Sequence, residues 1–154
     1  MKVIYVVSNN GLMARGPDDN MSWTPKLDKQ IFRLLTTFDE WCVCSKRTYE
    51  LLSRKMLADP ARKFIVAEKI GENSLVELNR RNPNIILIGG PTILKVAYDL
   101  KILDTIVVNT TKTNISGDPK YRDPLADVLK NPISKIDFGD FVTMVYKMQH
   151  SPQK

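Results

Sequence analysis

The sequence predicts an α/β fold: a single domain on a mostly parallel twisted sheet, with helices on both faces and a C-terminal antiparallel hairpin. Three observations carry that prediction. Short apolar runs alternate with stretches of helical periodicity, as in successive βα units. Residues 84 to 98, NIILIGGPTILKVAY, read as strand, turn and helix in immediate succession. Four apolar residues in a row suit a strand covered on both faces, Gly89 and Gly90 permit a sharp turn, and Pro91 suits a first helical position. Ile93, Leu94, Val96 and Ala97 would then face the sheet. Finally, β-rich runs at 133 to 138 and 141 to 148 flank Gly139-Asp140, a two-residue spacing suited to a hairpin.

Taken in order, residues 3 to 7 form a β-rich apolar run, followed by a loop heavy in Asn, Gly, Asp and Pro. Thr24-Pro25 looks like an N-cap and N1 pair opening a helix over 25 to 37, with Leu27, Ile31, Leu34, Leu35 and Phe38 as its apolar stripe. A second strand is expected over 40 to 44. A helix over 46 to 57 would point Tyr49, Leu52 and Met56 at the core and end at Asp59-Pro60. A third strand covers 63 to 67, and a short helix 74 to 81, stopped by Asn82-Pro83. After the organising strand and helix, 105 to 109 is another β-branched run and 110 to 124 a polar stretch. Residues 125 to 130 leave helix and loop both open.

The chain has 154 residues, 43% of them hydrophobic, enough for one core of its own. Residues 1 to 149 are read as the domain and 150 to 154 as a short polar tail. No apolar run reaches bilayer-spanning length and the N-terminus lacks a signal-peptide layout, so no membrane association and a cytoplasmic location are expected. Cys42 and Cys44, two apart on a strand, share one face and read as buried free thiols. With His150 the single histidine, no metal set is expected. The net charge of +6 favours anionic partners, from phosphorylated cofactors to polycarboxylates or nucleic acid. The basic residues occur in short pairs, the pattern of a solvated face, so charge alone selects none of these.

Two clusters can carry chemistry. Asp28 falls in the first turn of its helix with Phe32 one turn further on the same face. A first-turn carboxylate is favoured by the helix dipole alone. Trp23 and the loop before it can instead build a pocket wall around Asp28, where a carboxylate would have a shifted pKa and act on a polar ring. Ser45-Lys46-Arg47-Thr48 places a hydroxyl and two cations at a helix N-terminus. That suits either phosphate or an ordinary cap. Together with Gly90 it would hold a pyrophosphate better than either terminus alone. Arg62, opening a strand, can bind a carboxylate bidentately or sit at the surface.

The order of these pieces resembles a known family. Val3-Ile-Tyr-Val-Val-Ser8, Gly16 before Met21-Ser-Trp23, Asp28 with Phe32, Lys46-Arg-Thr-Tyr-Glu50, Pro60-Ala-Arg-Lys63, Ile88-Gly-Gly90 and Gly117-Asp118 together make residues 3 to about 148 similar to dihydrofolate reductase. The resemblance implies NADPH-dependent reduction of 7,8-dihydrofolate to tetrahydrofolate, with hydride passing to C6 and water protonating N5. It implies Asp28 as the active-site carboxylate, Trp23 reaching it through water, and Phe32, Ile4, Val6 and Ile88 lining the pterin pocket. Arg62 would hold the glutamate carboxylate. Lys46, Arg47 and Thr48 would meet the cofactor phosphates, Gly89, Gly90, Thr92 and Ile93 the pyrophosphate, and Gly16 the cofactor from the loop. Residues 9 to 22 would close over the nicotinamide, braced by the loop holding Asp118. The implied partners are dihydrofolate, also in polyglutamylated form, and antifolate inhibitors; the implied state is a monomer that binds no nucleic acid.

The chain departs from the family pattern at Ser22 before the tryptophan, at Ser45, at Pro91-Thr92, and at Glu68 and Lys69. The last pair sets a carboxylate where the 2′-phosphate of NADPH is met. Alternatives are a related pteridine or pyrimidine reductase, as in riboflavin synthesis, and a non-catalytic basic binding domain on the same fold.

Overall fold

The computed structural model describes residues 1–37, 41–82 and 84–149. Phe38, Glu40, Pro83, His150 and the polar tail, all invoked above, lie outside the described residues. The elements run β1 (Lys2–Val7), α1 (Lys26–Thr36), β2 (Trp41–Cys44), α2 (Lys46–Leu51), α3 (Arg54–Ala58), β3 (Lys63–Val66), α4 (Glu72–Arg81), β4 (Ile85–Leu87), α5 (Pro91–Asp99), β5 (Thr105–Thr111), β6 (Ser134–Asp137) and β7 (Phe141–Lys147). The described strands form one sheet in the order β3-β2-β4-β1-β5-β7-β6. Pairings are parallel from β3 through β5, while β7 runs antiparallel to both β5 and β6. The predicted parallel sheet with a hairpin edge is therefore the observed one.

Strand side chains alternate between two apolar layers, which is why the central strands read as unbroken hydrophobic runs. On one side Val3, Tyr5 and Leu87 pack with Leu75 of α4 and with Ile93, Leu94 and Ala97 of α5. On the other, Ile4, Ile86 and Ile88 pack with Met56 of α3 and Phe32 of α1. Helices thus cover both faces. Full burial of side chains such as Leu87 and Ile106 stabilises the fold by about 1.5–3 kcal/mol each. Cys42 and Cys44 share the second layer, and neither is in a disulfide.

Several expectations need correction. Thr24 does not cap α1: Pro25 holds the N-cap position without a side-chain bond, and the Thr24 hydroxyl donates to the Met21 carbonyl. The expected stripe is also not the buried face. Leu27, Leu34 and Leu35 are exposed, whereas the residues buried on α1 are Asp28 and Thr36. That inner face runs Asp28, Phe32, Thr36 at i, i+4, i+8, because it looks onto a cleft and not onto the close-packed core. The helix expected over 46 to 57 is two helices, broken where Leu52 is extended and Ser53 caps α3 by accepting from the Met56 N–H. Tyr49 consequently points outward, edge-on to Phe64. α4 begins two residues earlier than expected, at Glu72. Residues 124 to 128 form turns, and Leu125 is fully buried.

The long loop after β1 is docked on the loop after β5. The Asn9 N–H donates to the Thr113 carbonyl at 2.9 Å, the Asn10 side chain donates to the Ile115 carbonyl at 2.7 Å, and the Asp118 N–H donates to the Arg15 carbonyl at 3.2 Å. The buried Tyr5 hydroxyl ties the sheet to the same region through Asp123 at 3.1 Å. Gly117 is the contact point: a Cβ there would lie 2.6 Å from the Arg15 carbonyl oxygen and 2.7 Å from its Cα. Both are backbone atoms, which cannot rotate away. Gly117→Ala is therefore expected to lower stability by about 1–3 kcal/mol in denaturant unfolding, as overpacking does. Gly16→Ala, with open space around it, should change stability by less than about 0.5 kcal/mol.

Candidate functional site

A cleft of about 420 Å³ opens between the inner face of α1, the α2–α3 segment and the carboxyl ends of the parallel strands, the place where open α/β sheets bind ligands. Ile4 and Val6 of β1 and Ile88 after β4 form its apolar floor, with Phe32 and Met56 as walls. Asp28 lies at one end. It is 5% exposed, and its Oδ1 accepts from the Asn109 amide at 2.7 Å. Oδ2 accepts no hydrogen bond among the described residues. Burial pushes the Asp28 carboxyl above the ordinary range, outweighing the Asn109 hydrogen bond and the positive charge of Lys29.

The other end is built where the turn after β4 meets α2. Gly89 and Gly90 adopt φ +143° and +103°, conformations open to glycine. Their packing is tight as well: a Cβ on Gly90 would sit 2.7 Å from the Ser45 side chain, and one on Gly89 would be 3.0 Å from Thr48 Oγ1. The two helix termini paired in the sequence reading thus do come together. Arg47 stacks its guanidinium over Tyr121 at 5.3 Å and lines the cleft with Thr48, Gly89 and Gly90. Its buried Nη1 has no hydrogen-bond partner among the described residues. Lys46 is exposed and outside the cleft, and its backbone N–H donates to Glu68 at 3.0 Å. Thr92 is exposed, and Ile93 is buried in the layer beneath α5.

Trp23 is not a lining residue. Its indole N–H donates to Asp19 Oδ2 at 2.9 Å, and Asp19 also accepts from the backbone N–H groups of Arg15 at 2.7 Å and Met21 at 2.9 Å. Burial disfavours the charged form of Asp19, but these three donors outweigh it and hold the carboxyl below its usual range. Met21, at φ +61°, and Asn20 are thereby presented to the cleft. Gly16 instead lines a separate shallow depression with Asp18 and Asp19. The Asp118 carboxylate caps the turn at Lys120, so the brace on the first loop comes from its backbone N–H.

Arg62 also lies off the cleft lining. Its guanidinium donates to Thr36 Oγ1 at 2.7 Å, the Arg33 carbonyl at 3.0 Å, Thr37 Oγ1 at 2.9 Å and Asp59 at 3.3 Å, closing the C-terminal end of α1. The cations that do line the cleft are Lys26, Lys29 and Arg33 on α1, with Arg47 opposite. Sequence reasoning missed these lysines and also Asn109. The signal for Asn109 was present: one amide inside the β-branched run of β5, a polar group that a buried strand keeps only with a partner. Cys44 offers no nucleophile, since burial first, then nearby Cys42 and Glu68, push its thiol up to about 12. Among the described residues no helix is long and apolar enough to cross a membrane.

No protein-family model matches the sequence, and no curated protein matches it. In three dimensions the chain is similar to a dihydrofolate reductase of Schistosoma mansoni, at 19% sequence identity and a TM-score of 0.67, over 95% of this chain and 96% of that one. The chain therefore carries a dihydrofolate reductase-like fold.

Proposed function

We propose that the chain reduces 7,8-dihydrofolate with a nicotinamide dinucleotide. The observation that carries this reading is Asp28: a single buried carboxylate with one oxygen committed to Asn109 and the other uncommitted, above an apolar floor and beside Phe32. A flat ring with adjacent N–H donors matches that end of the cleft, and a carboxylate tail matches the cations Lys29 and Arg33 along α1. Arg62 serves the same tail through its hold on the end of α1 that carries Arg33.

The partnerless Nη1 of Arg47, beside a glycine turn packed on Ser45 and Thr48, suits the diphosphate of such a dinucleotide. Bound there, the dinucleotide would supply the hydride. Arg47, Thr48, Gly89 and Gly90 hold its anionic part, Ile4, Val6 and Ile88 keep water from the reacting ring, and the Asn20-Met21 segment closes over it. Asp28 accepts N–H groups of the pterin and biases the ring toward protonation, with water delivering the proton to N5. NADPH is the cofactor the resemblance implies. Glu68, seated on the Lys46 N–H next to Arg47, opposes an extra phosphate at that end, so both cofactors belong in the test.

The decisive assay is NADPH oxidation with and without 7,8-dihydrofolate, with NADH in parallel. Dihydrofolate-dependent oxidation should fall by on the order of 100-fold in Asp28→Asn while NADPH affinity holds. Oxidation indifferent to dihydrofolate would overturn the reading. Arg62→Leu should raise KM for dihydrofolate and leave KM for a pterin lacking the glutamate unchanged. Glu68→Gln should tighten NADPH binding about three- to fivefold at low ionic strength and leave NADH unchanged, the difference expected for removing one like charge at a solvated distance.

The same carboxylate makes a stability prediction. Because burial raises the Asp28 carboxyl in the folded state, folding favours its neutral form. Its contribution is full below the ordinary carboxylate range and is lost as pH rises through the raised value. Asp28→Asn should therefore be more stable than the wild type at neutral pH, with the gap closing in acid. Equal stability across that range would show that the site does not strain the charge.

A further inference from the structure

Behind Asp28 lies a short chain of polar groups that the proposed reaction does not touch. Asn109 on β5 is 1% exposed and pairs directly across the ladder with Thr143 on β7, itself 8% exposed. The Thr143 hydroxyl donates to Asn109 Oδ1 at 2.6 Å, and the Asn109 amide donates to Asp28 Oδ1 at 2.7 Å. A primary amide is two-sided: turned over, it would offer Asp28 an acceptor in place of a donor. The first face favours a carboxylate, the second a protonated acid. In the observed orientation the Thr143 proton has an acceptor; with the amide reversed, it would lose that acceptor and the hydroxyl would meet the Asn109 N–H groups instead, and an unmet buried donor is costly.

We propose that Thr143 is a positioning residue that locks the Asn109 amide with its N–H toward Asp28 and so keeps Asp28 available as an ionised acceptor for the substrate ring. The lock is directional and lies outside the cleft lining, which ends at Asn109. The charged and titratable groups facing the same cleft are Lys26, Lys29 and Arg33 from α1, Arg47 from α2 and Tyr5 from β1. From β5 and β7 the groups behind Asp28 are Asn109 and Thr143 themselves, neither of which titrates. None of these charges changes when Thr143 does, so a shift at Asp28 reports the amide.

This inference rests on the role given to Asp28 above, but its test reads the carboxyl directly. The ¹³C resonance of the Asp28 carboxyl, assigned by its loss in Asp28→Asn, is titrated in wild type, Thr143→Val and Thr143→Ser. The isosteric valine removes the hydroxyl and frees the amide to reverse, so the Asp28 midpoint should rise by about half to one pH unit, the worth of one hydrogen bond. The serine variant should return it to the wild-type position, which a loss of packing would not do. An unchanged or lowered midpoint in folded Thr143→Val, or a serine variant that behaves like valine, would overturn the proposal. If the valine variant does not fold, Thr143→Ala is held to the same standard. A midpoint shift together with no dihydrofolate turnover would sink the proposed reaction and leave the lock standing.

Discussion

The buried charge of Asp28 is the constraint around which the cleft is arranged. A carboxylate removed from water is strongly disfavoured unless hydrogen bonds and opposite charges replace what it loses. Here the replacement is incomplete: one amide from β5, one lysine charge nearby, and no partner on the second oxygen among the described residues. A fully satisfied carboxylate would be more stable. Leaving one oxygen open leaves it able to accept from a ligand, and the rest of the molecule supplies the stability that this omission withholds.

That arrangement explains the character of α1. A surface helix normally buries its leucines, yet this one turns Leu27, Leu34 and Leu35 outward and directs Asp28, Phe32 and Thr36 inward. The apolar stripe was legible in the sequence, but periodicity reports only that a helix has two faces. It does not report that one of them looks into a cleft. The i, i+4, i+8 set carried that information, because a carboxylate and a hydroxyl flanking a ring are poor core formers. Arg62 then takes the Thr36 hydroxyl and joins the Thr36 and Thr37 hydroxyls on the Arg33 carbonyl, so α1 is pinned by a residue that the sequence reading sent to the ligand.

Much of the sheet was readable for a simple reason. Parallel strands covered on both sides need continuous apolar runs, and Ile85 to Ile88 can be little else. The glycine pair was equally legible, since two positive φ values and the close approach of Ser45 leave room for no side chain. What stayed hidden were interactions made by residues far apart in sequence. Nothing near Asp19 announces that it gathers Arg15, Met21 and Trp23 into one loop conformation. Nothing near Thr143 points to Asn109. The break between α2 and α3 was also missed, because Ser53 looks like a tolerable helix interior residue until it is seen capping.

The two ends of the cleft are complementary in what they lack. Among the described residues, the second oxygen of Asp28 has no donor at one end and Nη1 of Arg47 has no acceptor at the other. Neither gap is closed by the surrounding side chains, since Asn109 is held by Thr143 and the glycine turn is packed against Ser45 and Thr48, although Asp28 opens to the cleft and only the Arg47 nitrogen is fully buried. A ligand that meets only one of them leaves the other uncompensated. Two molecules, one bearing ring N–H donors and one bearing an anionic linker, meet both, and each gains from the apolar floor between them. On the reaction proposed above, the second ligand would enter a cleft from which the first had already displaced water, which is the geometric condition for passing a hydride from one bound ring to another.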